Sequence, residues 1–301
     1  MLFSQATEII NPMLNGGLPA NLCADDPSLS FTCKGIDINM ASYQSELGFL
    51  ANPVGNHVQS AEMHNQAINS LALISSRYTF QALDTIYLMA TAHLFVLCQA
   101  LDLCVLQIEF LQSVEAELER LDWSTSMQAP KELHNILKDA VSTRIKSMWT
   151  TTNTADLDQR CKITADADIL DIVNIFAEAP PCTSVESTRL VEFTTKLQAQ
   201  MQTQYERSRQ SLFDKHQTIT LEFLGNAAKR MYNFVRGDLG VKLHRGLIEH
   251  PTQSLLAGIK VDEPRRNIGS RVSVIYEALR DGRGSAVLMA IAEESLRETK
   301  A

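Results

Sequence analysis

Charge is scarce in one long part of this sequence. Between Gly48 and Leu101 only Glu62, Arg77 and Asp84 are charged. A helix that is apolar or uncharged all round is a buried helix, so this third of the chain reads as the inside of something large. Glycine and proline are missing from Ala67 to Leu83 and from Thr85 to Leu103, which excludes turns there and predicts helices. Strand-like alternation never persists for more than a few residues, and no internal repeat is evident. The six cysteines (Cys23, Cys33, Cys98, Cys104, Cys161, Cys182) form no CxxC pair and no metal-ligand spacing. They read as buried thiols of a reducing compartment. There is no GxSxG, no Walker loop and no GxGxxG, so the usual signatures of nucleophilic hydrolysis and phosphate cradling are absent. The opening MLFSQATEIINP has neither a basic segment nor an apolar one, and Thr85–Leu101, with His93, Gln99 and two threonines, is too short and polar for a membrane span. A net charge of −8 and a pI near 5.4 argue against nucleic acid or an anionic membrane as partner. A cytoplasmic location is expected.

What is present is helix-forming sequence of two kinds. Between Cys104 and His216 there are 29 charged residues, against three in the preceding stretch, so this region reads as a peripheral, solvated layer. Val105–Leu121 and Lys131–Trp149 show apolar residues at three-and-four spacing, and Leu190–Phe223 suits one long amphipathic helix. Punctuation falls at 15–19, 26–27, 52–55, 129–130, 180–181 and 250–251. The fold class is therefore all-α. The uncharged helices from about Ala67 to Leu103 offer more apolar surface than a small monomeric bundle covers, which points to the centre of an oligomer.

One stretch breaks the apolar pattern: NHVQSAEMHNQAINS, from Asn56 to Ser70. On a helix, Gln59, Glu62, Asn65, Gln66 and Asn69 would share a sector of about 120°. Asn is a poor helix former and costly to bury unless hydrogen-bonded. The stripe reads equally as the lining of a polar cavity or as a buried network that fixes register. Asn56 or Ser60 would cap such a helix, placing Glu62 near its positive end. The closest upstream cation is Lys34, and spacing does not say whether the two meet. His57 and His64 lack a third ligand at a supporting interval and read as hydrogen-bonded histidines rather than a metal site.

Several blocks carry a family likeness. Gly17-Leu-Pro-Ala-Asn-Leu, Phe31-x-x-Lys34-Gly35, Met40-Ala-Ser-Tyr43-x-Ser-Glu-Leu47, Leu50-Ala-Asn-Pro53-Val and His57-Val-Gln-Ser-Ala-Glu62-x-His64-Asn65-Gln66 resemble the C-terminal half of phenylalanine ammonia-lyases. Tyr232-Asn-Phe-Val-Arg236 and Val272-Ser-Val-Ile-Tyr276 look like the fungal branch. The resemblance implies a homotetramer with a central helical bundle, each active site assembled from three subunits. It implies non-oxidative deamination of L-phenylalanine to trans-cinnamate and ammonia. The electrophile would be a methylidene-imidazolone (MIO) formed from an internal Ala-Ser-Gly, with no metal. Glu62 would contact the substrate amino group or assist proton transfer, and Gln66 would hydrogen-bond within the site. Lys34 would pair with Glu62 or sit near the substrate carboxylate, while Ile38 and Asn65 would line the aryl pocket. The implied domains are a core at 1–104, an inserted helical shielding layer at 105–223 and a C-terminal helical segment at 224–301.

The sequence also departs from that pattern. It contains no Ala-Ser-Gly: Ala41-Ser42 is followed by Tyr43, and Ser285 follows Gly284. The expectation is a chain corresponding to the C-terminal part of such an enzyme, N-terminally truncated and inactive alone. A non-catalytic pseudoenzyme or helical oligomerisation partner of a full-length relative is the alternative. A tyrosine or histidine ammonia-lyase or an aminomutase of the same architecture is the other.

Overall fold

The computed structural model describes residues 1–66, 68–179, 185–250 and 267–298. The chain is all-α, as expected: among the described residues no strand forms, and one isolated bridge pairs Ala61 with Gln66. The helices are α1 (Leu2–Ile10), α2 (Lys34–Leu50), α3 (Ile68–Arg120), α4 (Trp123–Met127) and α5 (His134–Thr151). Then come α6 (Leu157–Glu178), α7 (Ser187–Glu222), α8 (Asn226–Asn233), α9 (Ile268–Arg280) and α10 (Arg283–Glu298).

The three helices expected between Ala67 and Leu121 are one. α3 runs unbroken for 53 residues, about 80 Å at the rise of an α-helix. Asp84-Thr85 does not interrupt it, because neither residue removes a backbone donor or demands a non-helical angle. The helix stops where Asp122 accepts from Ser124 N (3.0 Å) and Thr125 N (3.4 Å), capping α4. α3 is also long and apolar enough to cross a membrane, unlike the short Thr85–Leu101 segment considered on sequence alone. Half of its apolar window is buried against the rest of the chain, as in a core helix.

α1, α2 and α9 pack along α3, and α5, α6 and α7 form a layer joined to its C-terminal half. The expected division at 104/105 therefore falls inside a shared helix, with no linker there. Phe110 of α3 meets Trp149 of α5 at 4.4 Å and Tyr205 of α7 at 5.4 Å between ring centroids. Arg160 of α6 lies 3.8 Å over the Trp149 ring. Burial pushes its guanidinium down to about 10.

The corner between α5 and α6 clasps the loop before α2. Asn153 Nδ2 donates to Pro12 O (2.8 Å) and Leu18 O (2.9 Å). Asp156 accepts from Ser28 N (3.0 Å) and Ser28 Oγ (2.6 Å), while Asp26 accepts from Leu157 N (3.2 Å). The approach is close enough that a Cβ on Gly17 would lie 2.7 Å from Thr150 Cα, at a φ of +90°. The charged layer is thus bolted to the loop that feeds α2.

α7 is a single helix, as its amphipathic pattern predicts, but kinks at Lys215, where φ is −133° and ψ is 18°. After α8 the chain makes a short π-helical turn, Phe234–Asp238, that turns Arg236 inward.

Candidate functional site

The stretch expected to carry the polar stripe is not a helix. Ala61 N donates to Gln66 O (2.9 Å), Gln66 N to Ala61 O (3.1 Å), and Asn65 N to Glu62 O (3.0 Å), closing a tight turn. Glu62, Met63 and His64 all have left-handed backbones, with φ of 46°, 49° and 71°. Ser60 does not cap a helix; its Oγ pairs with His64 Nδ1 at 2.6 Å across the base of the turn. α3 begins only at Ile68. The helical sector uniting Gln59 with Glu62, Asn65 and Gln66 is therefore corrected to a hairpin-like turn. It brings Glu62, Asn65 and Gln66 together, all exposed, with one carboxylate and two amides within five residues. The side chains of His57 and Asn69 lie outside the described residues.

Lys34 and Ile38 sit on the first two turns of α2, four residues apart on one exposed face. α2 packs through the other face, where Cys33, Ile36 and Met40 are buried. Asp37 in the first turn accepts from Thr7 Oγ1 of α1 at 2.7 Å. Two features of this face oppose local helix physics. Lys34 puts a cation at the positive end of the helix, and Ile38 is 62% exposed. Among the described residues Lys34 makes no side-chain hydrogen bond or ion pair. Gly35 also borders an open cavity of about 600 Å³, walled by Ser30, Phe31, Thr32, His244 and Glu249 among others.

The two sets lie on different elements. α2 extends about 25 Å from Lys34 to Leu50, and the Glu62 turn follows its far end. No hydrogen bond or ion pair joins Lys34 to Glu62 among the described residues. Each set, a cation beside an apolar side chain on α2 and a carboxylate among amides on the turn, is an open half-site facing solvent. Among the described residues no group of three or more His, Cys, Asp or Glu could hold a metal ion.

Sequence reasoning missed a second polar cluster, which is buried. Asp102 of α3 pairs with Arg236 at 2.7 Å, both side chains fully buried, and accepts from Thr220 Oγ1 (2.8 Å) and from Tyr232 Oη. One turn earlier, Gln99 Nε2 donates to Leu22 O (3.3 Å) and His244 O (2.9 Å), while its Oε1 accepts from His244 N (3.0 Å). Glu249 accepts from Arg271 (2.8 Å) and Arg245 (3.1 Å), and Asp25 accepts from Leu247 N (2.7 Å). Burial pushes the Cys98 thiol up to about 12. Burial, with Arg271 nearby, lowers the His244 imidazole to about 4. The cluster welds the loop before α2 and the segment after the π-turn onto α3, and so fixes the end of α2 that carries Lys34. The signal in the sequence was Gln99 and Asp102, two polar residues one turn apart in an apolar helix.

Comparison with known proteins agrees with this architecture. Residues 1–120 match the aromatic amino acid lyase family. A phenylalanine ammonia-lyase of Aspergillus hancockii is 41% identical over 301 residues, covering 96% of this chain and 42% of that protein. A phenylalanine aminomutase (L-β-phenylalanine forming) of Talaromyces islandicus is 36% identical, covering 97% of this chain and 40% of that one. The crystal structure of phenylalanine ammonia-lyase from Rhodosporidium toruloides superposes with a TM-score of 0.84 at 34% identity, over 96% of this chain and 43% of that chain. The chain thus spans about two fifths of the length of these relatives.

Proposed function

We propose that this chain, whose residues 1–120 match the aromatic amino acid lyase family, is part of such a lyase and supplies one wall of an assembled ammonia-lyase site. The reaction is the non-oxidative deamination of L-phenylalanine to trans-cinnamate and ammonia. The observation that carries this reading is the pair of exposed half-sites within residues 1–120, neither of them satisfied by other described residues. Lys34 faces the substrate carboxylate and Ile38 and Asn65 the aryl ring. Glu62 receives the substrate ammonium or shuttles a proton, and Gln66 orients it by hydrogen bonding. In the elimination a β-proton leaves to a base and the amine departs, forming the double bond.

The family's prosthetic group, MIO, arises from Ala-Ser-Gly. These 301 residues contain no such tripeptide, and both half-sites are open to water. The residues present neither form nor enclose that group. The electrophile and the remaining walls come, in this reading, from sequence outside these 301 residues, within a cytoplasmic homotetramer or a co-assembly with intact relatives. The exposed N-terminal half of α3 is the surface they cover, and the layer at 105–223 shields the entrance. L-phenylalanine is the favoured substrate.

The test is complementation. The 301-residue chain is mixed with an intact relative disabled at its own counterpart of Glu62, and cinnamate is followed by absorbance. Turnover in the mixture, absent from either component, supports the proposal; no turnover despite co-assembly overturns it. The aminomutase among the relatives favours a second product, so β-phenylalanine is assayed alongside cinnamate. Co-assembly without any product supports the reading as a non-catalytic helical partner.

A further inference from the structure

The peripheral layer holds a buried carboxyl group that the described residues leave unbonded. Asp168 of α6 is fully buried, and neither of its oxygens has a hydrogen-bond partner among the described residues. Thr164, one turn earlier on the same buried stripe, has an equally orphaned hydroxyl. Beside them, Arg144 of α5 grips Asp171 with two parallel hydrogen bonds, Nε to Oδ2 at 2.6 Å and Nη2 to Oδ1 at 2.8 Å. That fork is half-exposed, at the rim of the same α5–α6 interface.

We propose that Asp168 and Asp171 are alternative partners of Arg144, and that the proton on Asp168 decides which of them holds it. The α5–α6–α7 layer then carries a pH-sensitive latch. The charged groups facing Asp168 are few. Arg144 reaches from α5, whose buried residues Leu137, Val141, Ile145 and Trp149 are apolar. Asp171 acts from its own helix, where Arg160 is the other buried charge and stacks on Trp149 two turns away. The buried face of α7 holds no charged residue. Burial first, then the charge of Asp171, pushes the Asp168 carboxyl up to about 8. Protonated, Asp168 sits neutral in the interface and leaves Arg144 to Asp171. Ionised, it becomes a buried charge whose available cation is Arg144, three residues from the present grip along α6.

The sign follows from linkage. A carboxyl with a raised folded-state pKa contributes stability that is fully present below its unfolded value and is lost as pH rises towards about 8. The test is thermal unfolding of the full chain by circular dichroism, from about pH 5 to about pH 9.5. Asp168→Asn, a neutral isostere, is expected to gain on the wild type with rising pH until the gap levels off above about 8. Asp171→Asn releases Arg144 to Asp168 and is expected to move that levelling-off down by about one pH unit or more. Parallel curves for wild type and Asp168→Asn overturn the proposal. So does an unmoved levelling-off in Asp171→Asn, since Asp168 would then titrate without sharing Arg144. Should Asp168→Asn not fold, carboxyl carbon NMR of the wild type decides. One aspartate titrating near 8 is expected, and none titrating above about 5 overturns the idea.

Discussion

The two halves of α3 are built from the same apolar alphabet and live in opposite surroundings. In the N-terminal half Leu73 is 68% and Phe80 67% exposed, with Leu83 and Ile86 also open to solvent. In the C-terminal half Phe95 is fully buried, as are Val96, Leu103, Leu106 and Phe110. Apolar content alone does not tell a helix that its own chain will cover it from one that it leaves open to solvent. What separates them is the company each keeps. The buried half carries Gln99 and Asp102, whose hydrogen bonds draw in Leu22, Thr220, Tyr232, Arg236 and His244 from across the chain. The described N-terminal half has a lighter set of ties, such as Gln81 to Glu46 at 3.1 Å.

Breaking the buried half should cost most. Arg236→Met leaves the Asp102 carboxylate buried without its cation, and chemical denaturation should show a loss of about 3–5 kcal/mol. Replacing both partners by apolar residues should recover most of it. Phe95→Ala opens a cavity where nothing can collapse inward and should cost a similar or slightly smaller amount, about 3–4 kcal/mol. Recovery of native stability in either single variant would mean that the buried half is not held as described.

Acidification probes the same weld more gently. His244 is bonded to Gln99 through its backbone and is held near pKa 4 by burial. A histidine with a depressed folded-state value contributes stability that is complete above its unfolded value of 6.5 and is lost as pH falls towards about 4. The loss should be on the order of 3 kcal/mol by linkage. Melting curves of wild type and His244→Asn should therefore converge on acidification.

The exposed half should respond to the opposite readout. Met63→Gly at the tip of the Glu62 turn removes a side chain from a left-handed backbone and should stabilise the chain by about 1 kcal/mol or less. Phe80→Ala should change the stability of the isolated chain by no more than about 0.5 kcal/mol. Sedimentation or gel filtration should nonetheless show it to weaken association. A large unfolding penalty without any effect on association would reverse the comparison between the two halves.

How much of this was legible in the sequence differs from element to element. α5 could be placed from three-and-four spacing and α7 from its amphipathic pattern, whereas α6 and the corner before it were not read from the sequence. The continuity of α3 was also written in the sequence, in the absence of glycine and proline from 68 to 120, though the charged residue at Asp84 read as a seam. The turn at 61–66 was not legible. Ala, Glu, Met and Gln are all good helix formers, so propensity pointed the wrong way, and the closure by Ala61 and Gln66 competed with it successfully. The chemical character of the candidate site, one carboxylate among amides at 62–66 and a cation followed by an apolar residue at 34 and 38, was nevertheless visible in the residues themselves.

By itself, then, the sequence determined the helical class, the chemistry available at each candidate position and the likeness of residues 1–120 to the aromatic amino acid lyase family. These depend on residue identity and short-range spacing, which survive without knowledge of the fold. Only the tertiary structure decided that Asp102 would meet Arg236, that Arg144 would face two aspartates with grip for one, and that half of α3 would stay uncovered. Those outcomes rest on contacts between residues tens to more than a hundred positions apart, and on desolvation, and neither leaves a periodic trace along the chain.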